Sequence, residues 1–206
     1  MSDRIIAVPD FPELAFDDGP HQYRLDGESI PSVSTILEPL SGANYAHIRE
    51  KTLQNAANRG TSVHNSIEVW IKYEIEDVNP EHRGYFSAFR EWWDLKKPIV
   101  VGSEVRVYHR ILRYGGTVDL LAYIDDKLTL VDFKTTSSLV DMTCGVQLEA
   151  YAQALVSHGI PVEDKMILHL KNNGKYKEHS YAVNDAARWR VFGSLKCVYD
   201  YIQSYK

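Results

Sequence analysis

Cysteine is scarce, with two in 206 residues, Cys144 and Cys197. A disulfide framework, an all-thiolate zinc site and an iron–sulfur cluster all need more thiols, so none is expected. Long apolar runs are missing too. No segment reaches the length needed to cross a bilayer, and the opening Met-Ser-Asp-Arg-Ile-Ile lacks the apolar core of a signal peptide. A reducing cytosol is the expected compartment, with no membrane partner. There is no excess of positive charge either, since the formal net charge is -5. That sum hides an asymmetry. Residues 1–38 carry eight acids and two bases, and the remainder carries 21 bases and 20 acids. A local basic groove fits on such a protein. Candidate clusters are Arg49/Lys51/Arg59, Arg106/His109/Arg110/Arg113 and Lys171/Lys175/Lys177.

What is present is an ordinary globular composition, 44% hydrophobic, with 13 Tyr, 4 Trp and 6 Phe. The length predicts a single domain over 1–206. Residues 1–20 read as an irregular lead. His21–Leu25 and Ser29–Val33 flank Asp26-Gly27, a hairpin signal, and Ser32 or Ser34 caps a helix through Thr35-Ile-Leu. Residues 44–57 look helical, and Gly60 punctuates. Val63, Ile67, Trp70, Ile71 and Ile75 then predict a helix over 62–76, followed by one over 83–96. From Ile99 the period shortens to that of strands, over 99–107, 116–124 and 127–134, with Asp125-Asp126 as the second turn. A helix over 145–158, strands over 165–170 and 178–183, and a last helix capped by Asn184 complete the chain. The order predicts an α/β fold around a central mixed β-sheet flanked by helices.

The chemistry gathers in Gly116-Thr-Val-Asp119 and Asp132-Phe-Lys134. Residues two apart on a strand share a face, so Asp132 and Lys134 point together. Asp119 and Asp132 flank the Asp125-Asp126 turn at similar distances, which makes them cross-strand neighbours. Paired carboxylates repel unless a cation lies between them. Together they can hold a hard divalent ion, while the lysine steers water or stabilises charge on phosphorus. Spacing alone equally allows a surface ion cluster. Three further features bear on the choice. His64 sits on the first turns of a helix, with Glu68 at i+4 either orienting it or simply exposed. Gln147 and Tyr151 share a helical face. Glu104, on the first strand, is a further carboxylate, with Arg106 an equally natural partner.

Together His64, Gly116-x-x-Asp119, Asp132-Phe-Lys134-Thr135 and Gln147-x-x-x-Tyr151 resemble the motif series of the PD-(D/E)xK nuclease superfamily, in its RecB-like branch. Tyr23-Arg-Leu-Asp-Gly27 through Pro31-Ser-Val-Ser34 is similar to the N-terminal part of small single-strand exonucleases of that branch, mitochondrial genome-maintenance and phage-encoded ones among them. The resemblance implies a restriction-endonuclease-like core over 59–206, with an N-terminal β-hairpin and a helical arch within 1–58, residues 34–58 being the candidate arch. It implies metal-dependent DNA cleavage with Mg2+ or Mn2+. His64, Asp119, Asp132 and the Phe133 backbone carbonyl would be ligands; Glu104 is a further candidate from its strand position and not from the motif series. Lys134 would be the catalytic lysine, with Gln147 and Tyr151 supporting the site. Ser32, Ser34, Arg59 and Thr135 would contact DNA. The implied partner is DNA, single-stranded with a free end. No Gly-x-x-x-x-Gly-Lys motif is present, so any helicase, like any single-strand-binding protein, would be a separate chain. Recombination, replication, repair and phage DNA processing all fit. The competing expectations are a structure-specific or restriction-type endonuclease, and a non-catalytic DNA-binding module on the same fold.

Overall fold

A turn with two consecutive positive φ angles shapes the N-terminal sheet. Asp26 (φ 53°) and Gly27 (φ 83°) join β2 (Gln22–Leu25) to β3 (Glu28–Ile30), the geometry that a two-residue hairpin turn requires. The computed structural model describes residues 7, 9–45 and 49–206. The lead is not all irregular, because Leu14–Asp17 forms β1 and pairs antiparallel with β2. Its apolar Leu14 and Phe16 pack with Tyr23, Leu25 and Ile30, a gain visible only once the hairpin gives β1 an edge to join. The N-terminal unit is therefore a three-stranded sheet.

Helix α1 (Val33–Tyr45) starts where Ser32 Oγ accepts the Thr35 amide at 3.0 Å. It buries Val33, Ile36 and Leu37 in the main core. Helix α2 (Glu50–Tyr73) runs straight through Gly60, against the expected break. One glycine costs a helix only about 1 kcal/mol, and burial of Val63 and Ile67 outweighs it. The helix ends at Tyr73 because Glu74 turns left-handed (φ 56°). A 3-10 turn (Pro80–His82) leads into α3 (Arg83–Lys96). Residues 46–48, within the expected arch, lie outside the described residues.

Five strands form the central sheet: β4 (Ile99–Tyr108), β5 (Gly115–Ile124), β6 (Lys127–Lys134), β7 (Asp164–Leu170) and β8 (Tyr176–Tyr181). They lie in that order, with β6 and β7 parallel and every other neighbouring pair antiparallel. Helix α4 (Asp141–Val156) makes the crossover that the parallel pair needs. It begins a turn earlier than its apolar pattern suggested, and β8 begins two residues earlier. Helix α5 (Ala186–Gln203) is capped by Asp185, whose Oδ1 accepts the amides of Ala187 and Arg188 at 3.0 Å each. The expected cap, Asn184, is the left-handed residue before it (φ 54°).

The sheet is the middle layer of a sandwich. Helices α2 and α3 cover one face through Val63, Ile67, Phe86, Phe89 and Trp92 against Leu120, Val131, Phe133 and Leu168. Helices α1, α4 and α5 cover the other through Ile36, Leu148, Leu155 and Phe192 against Val118, Leu121, Leu130 and Ile167. No helix among the described residues is long and apolar enough to cross a membrane.

Candidate active site

The β5–β6 ladder pairs Leu121 with Leu130 and Leu120 with Val131, then stops. One more step would set Asp119 opposite Asp132. There the backbone bond is replaced by a side chain, since the Phe133 amide donates to Asp119 Oδ2 at 2.6 Å. That charge-assisted bond fixes the Asp119 carboxylate where the strands part. Asp132 and Lys134 share a face, and Lys134 Nζ lies 2.8 Å from Asp132 Oδ2. The ammonium is the counter-charge of this buried oxygen.

Helix α2 brings in His64. Its Nδ1 is 3.5 Å from Asp119 Oδ1, and its Nε2 is 3.0 Å from the Phe133 carbonyl oxygen. Glu68 does not orient the ring; it pairs with Lys72 one turn further on. Asp119 and the β6 backbone perform that task.

Glu104 is drawn in from β4. The register puts Ser103 opposite Leu120 and Val105 opposite Val118, which leaves Glu104 level with Asp119. Glu104 also has φ 51°, a left-handed conformation in the middle of a strand. For a non-glycine residue this costs of order 1–3 kcal/mol. One ligand atom each of His64, Glu104 and Asp119 lies within 4.8 Å of the others. Arg106, the alternative partner, instead holds its guanidinium 5.0 Å from the Phe16 ring centroid. Glu104 thus stands closer to His64 and Asp119 than its place in the sequence suggested. Two local irregularities hid it, the shift in β4 between Val100 and Gly102 and the left-handed residue itself.

Helix α4 covers the site from the other face. Gln147 Nε2 donates to Tyr151 Oη at 3.1 Å. The Tyr151 ring lies so close to Gly116 that a Cβ there would sit 2.4 Å from Tyr151 Cε1. Gly116→Ala therefore displaces the ring that Gln147 holds. We expect a stability loss of about 1–3 kcal/mol from overpacking, read by urea unfolding, together with lower activity. Unchanged stability and activity would show that Tyr151 is free to move.

The expected DNA contacts are scattered. Ser32 is buried and committed to capping α1, with its Oγ 2.8 Å from that of exposed Ser34. Thr135 is buried directly after Lys134, facing Gly60 across a gap that a Cβ would narrow to 4.0 Å. Arg59 turns towards α3, 5.6 Å from the Tyr85 ring centroid. It lines a recess of about 400 Å³ with Asn55, Asn58, Glu81 and His82, away from the carboxylates. Within 34–58, α1 is anchored in the core, while the first turns of α2 are largely exposed.

Comparison with known families decides what this arrangement belongs to. The family model of the PD-(D/E)XK nuclease superfamily matches residues 38–192, well over half of the chain. The chain belongs to the PD-(D/E)XK nuclease superfamily. No curated protein sequence matches it. Among solved structures it is similar to one titled SSO0001, with 11% identity over 80% of this chain and 85% of that one, at a TM-score of 0.39. It is also similar to LHK-Exo in complex with dAMP, with 12% identity over 85% of this chain and 92% of that one, at a TM-score of 0.39. A second structure of LHK-Exo, an alkaline exonuclease from Laribacter hongkongensis, shares 13% identity over 72% of this chain and 91% of that one, at a TM-score of 0.35. Likeness at this distance carries no inference about activity.

Members of the superfamily use divalent metals, and the residues here fit one. The donor set is hard oxygen plus one imidazole. The ligand atoms of His64, Glu104 and Asp119 lie close enough together to share one cation, and Asp132 adds a buried carboxylate beside them. Glu104, Asp119, Asp132 and the Phe133 carbonyl are the groups able to hold it, and His64 joins them once it has lost its proton.

Crowding of these groups sets their protonation. Burial and the Asp119 charge push Glu104 up to about 7. Burial raises Asp132 to about 6, against the pull of Lys134. Asp119 stays below the usual carboxylate range, because His64, Lys134 and the Phe133 amide outweigh its burial. Burial alone would lower His64, but Asp119 and Asp132 lift it to about 9. Burial would likewise lower Lys134, yet the two aspartates raise it above the ordinary lysine range. A carboxyl whose folded value is raised binds protons better folded than unfolded. It favours the folded state below the unfolded value, and that contribution is lost as pH rises through the folded one. For Glu104 the window runs from the ordinary 4.5 to about 7. Glu104→Gln should therefore stabilise the metal-free protein at pH 8 by up to about 3 kcal/mol, with the advantage gone near pH 4.5. Thermal melting with a chelator at both pH values measures this. A variant no more stable at pH 8 would contradict the crowding of Glu104 and Asp119.

Proposed function

We propose that this chain is a metal-dependent deoxyribonuclease that hydrolyses phosphodiester bonds from the ends of single-stranded DNA. The observation that carries the reading is the convergence of Glu104, Asp119, Asp132, His64 and Lys134 where strands β5 and β6 part. A bound Mg2+ or Mn2+ would supply Lewis acidity and make a coordinated water more acidic.

The chain's own groups do the rest. Asp119 is aimed by the Phe133 amide, and His64 is held between Asp119 and the Phe133 carbonyl. Lys134 keeps its proton, since its neighbours raise its pKa. It therefore acts as a fixed cation beside the developing charge on phosphorus and not as the base that takes a proton from water. Tyr151 also keeps its proton, because burial and Asp132 raise it well above the ordinary phenol. With Gln147 it presents a neutral pair of donors to a phosphate oxygen or water. The exposed first turns of α2 offer a place for a single strand to pass.

The test uses end-labelled linear single strands, circular single strands and linear duplex, each with Mg2+ and with a chelator. Release of short products from the linear single strand alone, only with metal, supports the proposal. Cutting of circles would make the enzyme an endonuclease. Absence of cleavage with both Mg2+ and Mn2+, with strand binding retained, would make it a binding module.

A further inference from the structure

Moving across the sheet, the charges change sign. Strands β4, β5 and β6 supply Glu104, Asp119 and Asp132, and beyond them come bases. Pairing of β6 with β7 sets Lys134 beside His169, and pairing of β7 with β8 sets His169 beside Lys177. Directly paired residues share a face, as do residues two apart on one strand. Lys134, His169 and Lys177 thus form one row, with Lys171 and His179 on the same face.

This row has more donors than acceptors. His169 Nε2 lies 2.7 Å from the Thr136 carbonyl oxygen and 2.9 Å from Lys171 Nζ. One ring nitrogen cannot donate to the carbonyl and accept from the lysine at once. Lys171 Nζ also donates to the Ser137 carbonyl at 2.8 Å. The Nε2 of His179 is buried without a hydrogen-bond partner. Among the described residues neither Lys171 nor Lys177 forms an ion pair. Burial lowers His169, His179 and Lys171, and Lys171 and Lys177 lower both imidazoles further. The carboxylate that acts on His179 is Asp141, already held 3.3 Å from Arg188 Nη2. Lysines without counter-charges, backed by imidazoles and adjoining a phosphate-cleaving centre, suit an anion.

We infer that Lys171 and Lys177, backed by His169 and His179, form a subsite for the DNA backbone that holds the phosphate next to the one being cleaved. The inference rests on the nuclease reading above. From the Lys134 strand to the Lys177 strand is two strand spacings, roughly 10 Å, so the backbone crosses β7 and β8 after passing the acidic groups. The bound strand then runs from the acidic to the basic side of the sheet.

The test is binding of a fluorescein-labelled oligothymidylate to the full chain in Ca2+, followed by anisotropy over a range of salt. Comparison is with Lys177→Gln and with Lys171→Gln/Lys177→Gln. Each lost phosphate contact should reduce the salt slope by about 0.7 for a single strand. The double variant should therefore fall by about 1.4 and bind several-fold more weakly. A second probe carries one neutral methylphosphonate beside the scissile position. It should bind wild type more weakly than the parent strand, and the double variant equally to its parent. An unchanged salt slope, or a methylphosphonate penalty that persists in the double variant, would overturn the subsite. Because Lys177 is exposed, Lys177→Gln keeps the test valid if Lys171→Gln disturbs the loop after Lys134. If wild type itself neither binds nor cleaves single strands, the nuclease reading fails, and the subsite with it.

Discussion

Asp132→Asn and Lys134→Ala should each lower DNA cleavage by about 10³-fold, which is roughly 4 kcal/mol on the barrier, while leaving the fold intact. Asp132 is a buried carboxylate whose Oδ2 faces the Lys134 ammonium at 2.8 Å. Asparagine keeps the shape but presents a neutral group, which is a poor ligand for a hard cation. Lys134 is the fixed positive charge next to it, and losing one such group in a site that stabilises transition-state charge typically costs two to three orders of magnitude. The two substitutions should also be far from additive, because in the proposed mechanism each acts on the same phosphate. Steady-state cleavage of a labelled single strand gives the rates, and circular dichroism with thermal melting verifies the fold. Retention of more than about a tenth of wild-type cleavage by either variant, with the fold intact, would place the reaction elsewhere on the molecule. Asp119→Asn is the less clean choice. It also weakens the bond to the Phe133 amide that holds strands β5 and β6 together at the site.

The middle of this site is legible in the sequence because it depends on short-range rules. Alternation along β6 places Asp132 with Lys134, helical spacing places Gln147 with Tyr151, and both contacts are found at hydrogen-bonding distance. Strands 127–134 and helix 83–96 have clean patterns and turn signals at both ends, and they begin and end where the pattern does. Features that need a partner distant in the chain are not legible. β1 has no meaning until β2 lies beside it. The continuity of α2 through Gly60 depends on the sheet it packs against. Glu104 reaches the site only through a strand irregularity and a strained backbone. A single glutamate in a β-rich run gives no sign of either. The one visible hint is its place on the strand preceding Gly116-x-x-Asp119. The buried ion pair of Glu149 and Lys165 was hidden for the same reason. Glutamate in a helix and lysine in a strand are both read as surface residues.

That pair carries the largest expected effect on stability. Glu149 on α4 and Lys165 on β7 are fully buried, with Lys165 Nζ bonded to Glu149 Oε2. The same oxygen accepts the Asp185 amide at 3.2 Å, and Oε1 accepts Gln153 Nε2 at 2.8 Å. One carboxylate therefore joins α4, the central sheet and the start of α5. Lys165→Met should destabilise the protein by about 3–5 kcal/mol, because it leaves an uncompensated charge in the core. Adding Glu149→Gln should restore most of that loss, since the second change removes the orphan charge while keeping an acceptor for the Asp185 amide. Urea unfolding of the two single variants and the double variant closes a cycle in which the coupling isolates the pair. A loss below about 1 kcal/mol for Lys165→Met would mean that water or another group replaces the ammonium. The pair also bears on catalysis. Gln147 lies two residues before Glu149 and Tyr151 two after, so the tie to β7 sets the register of the helix that faces Asp132. In the double variant at a temperature where it is folded, cleavage should remain below wild type even though stability has largely returned. Charge compensation restores the free energy of the core but not the directed bond that fixes how α4 seats on the sheet.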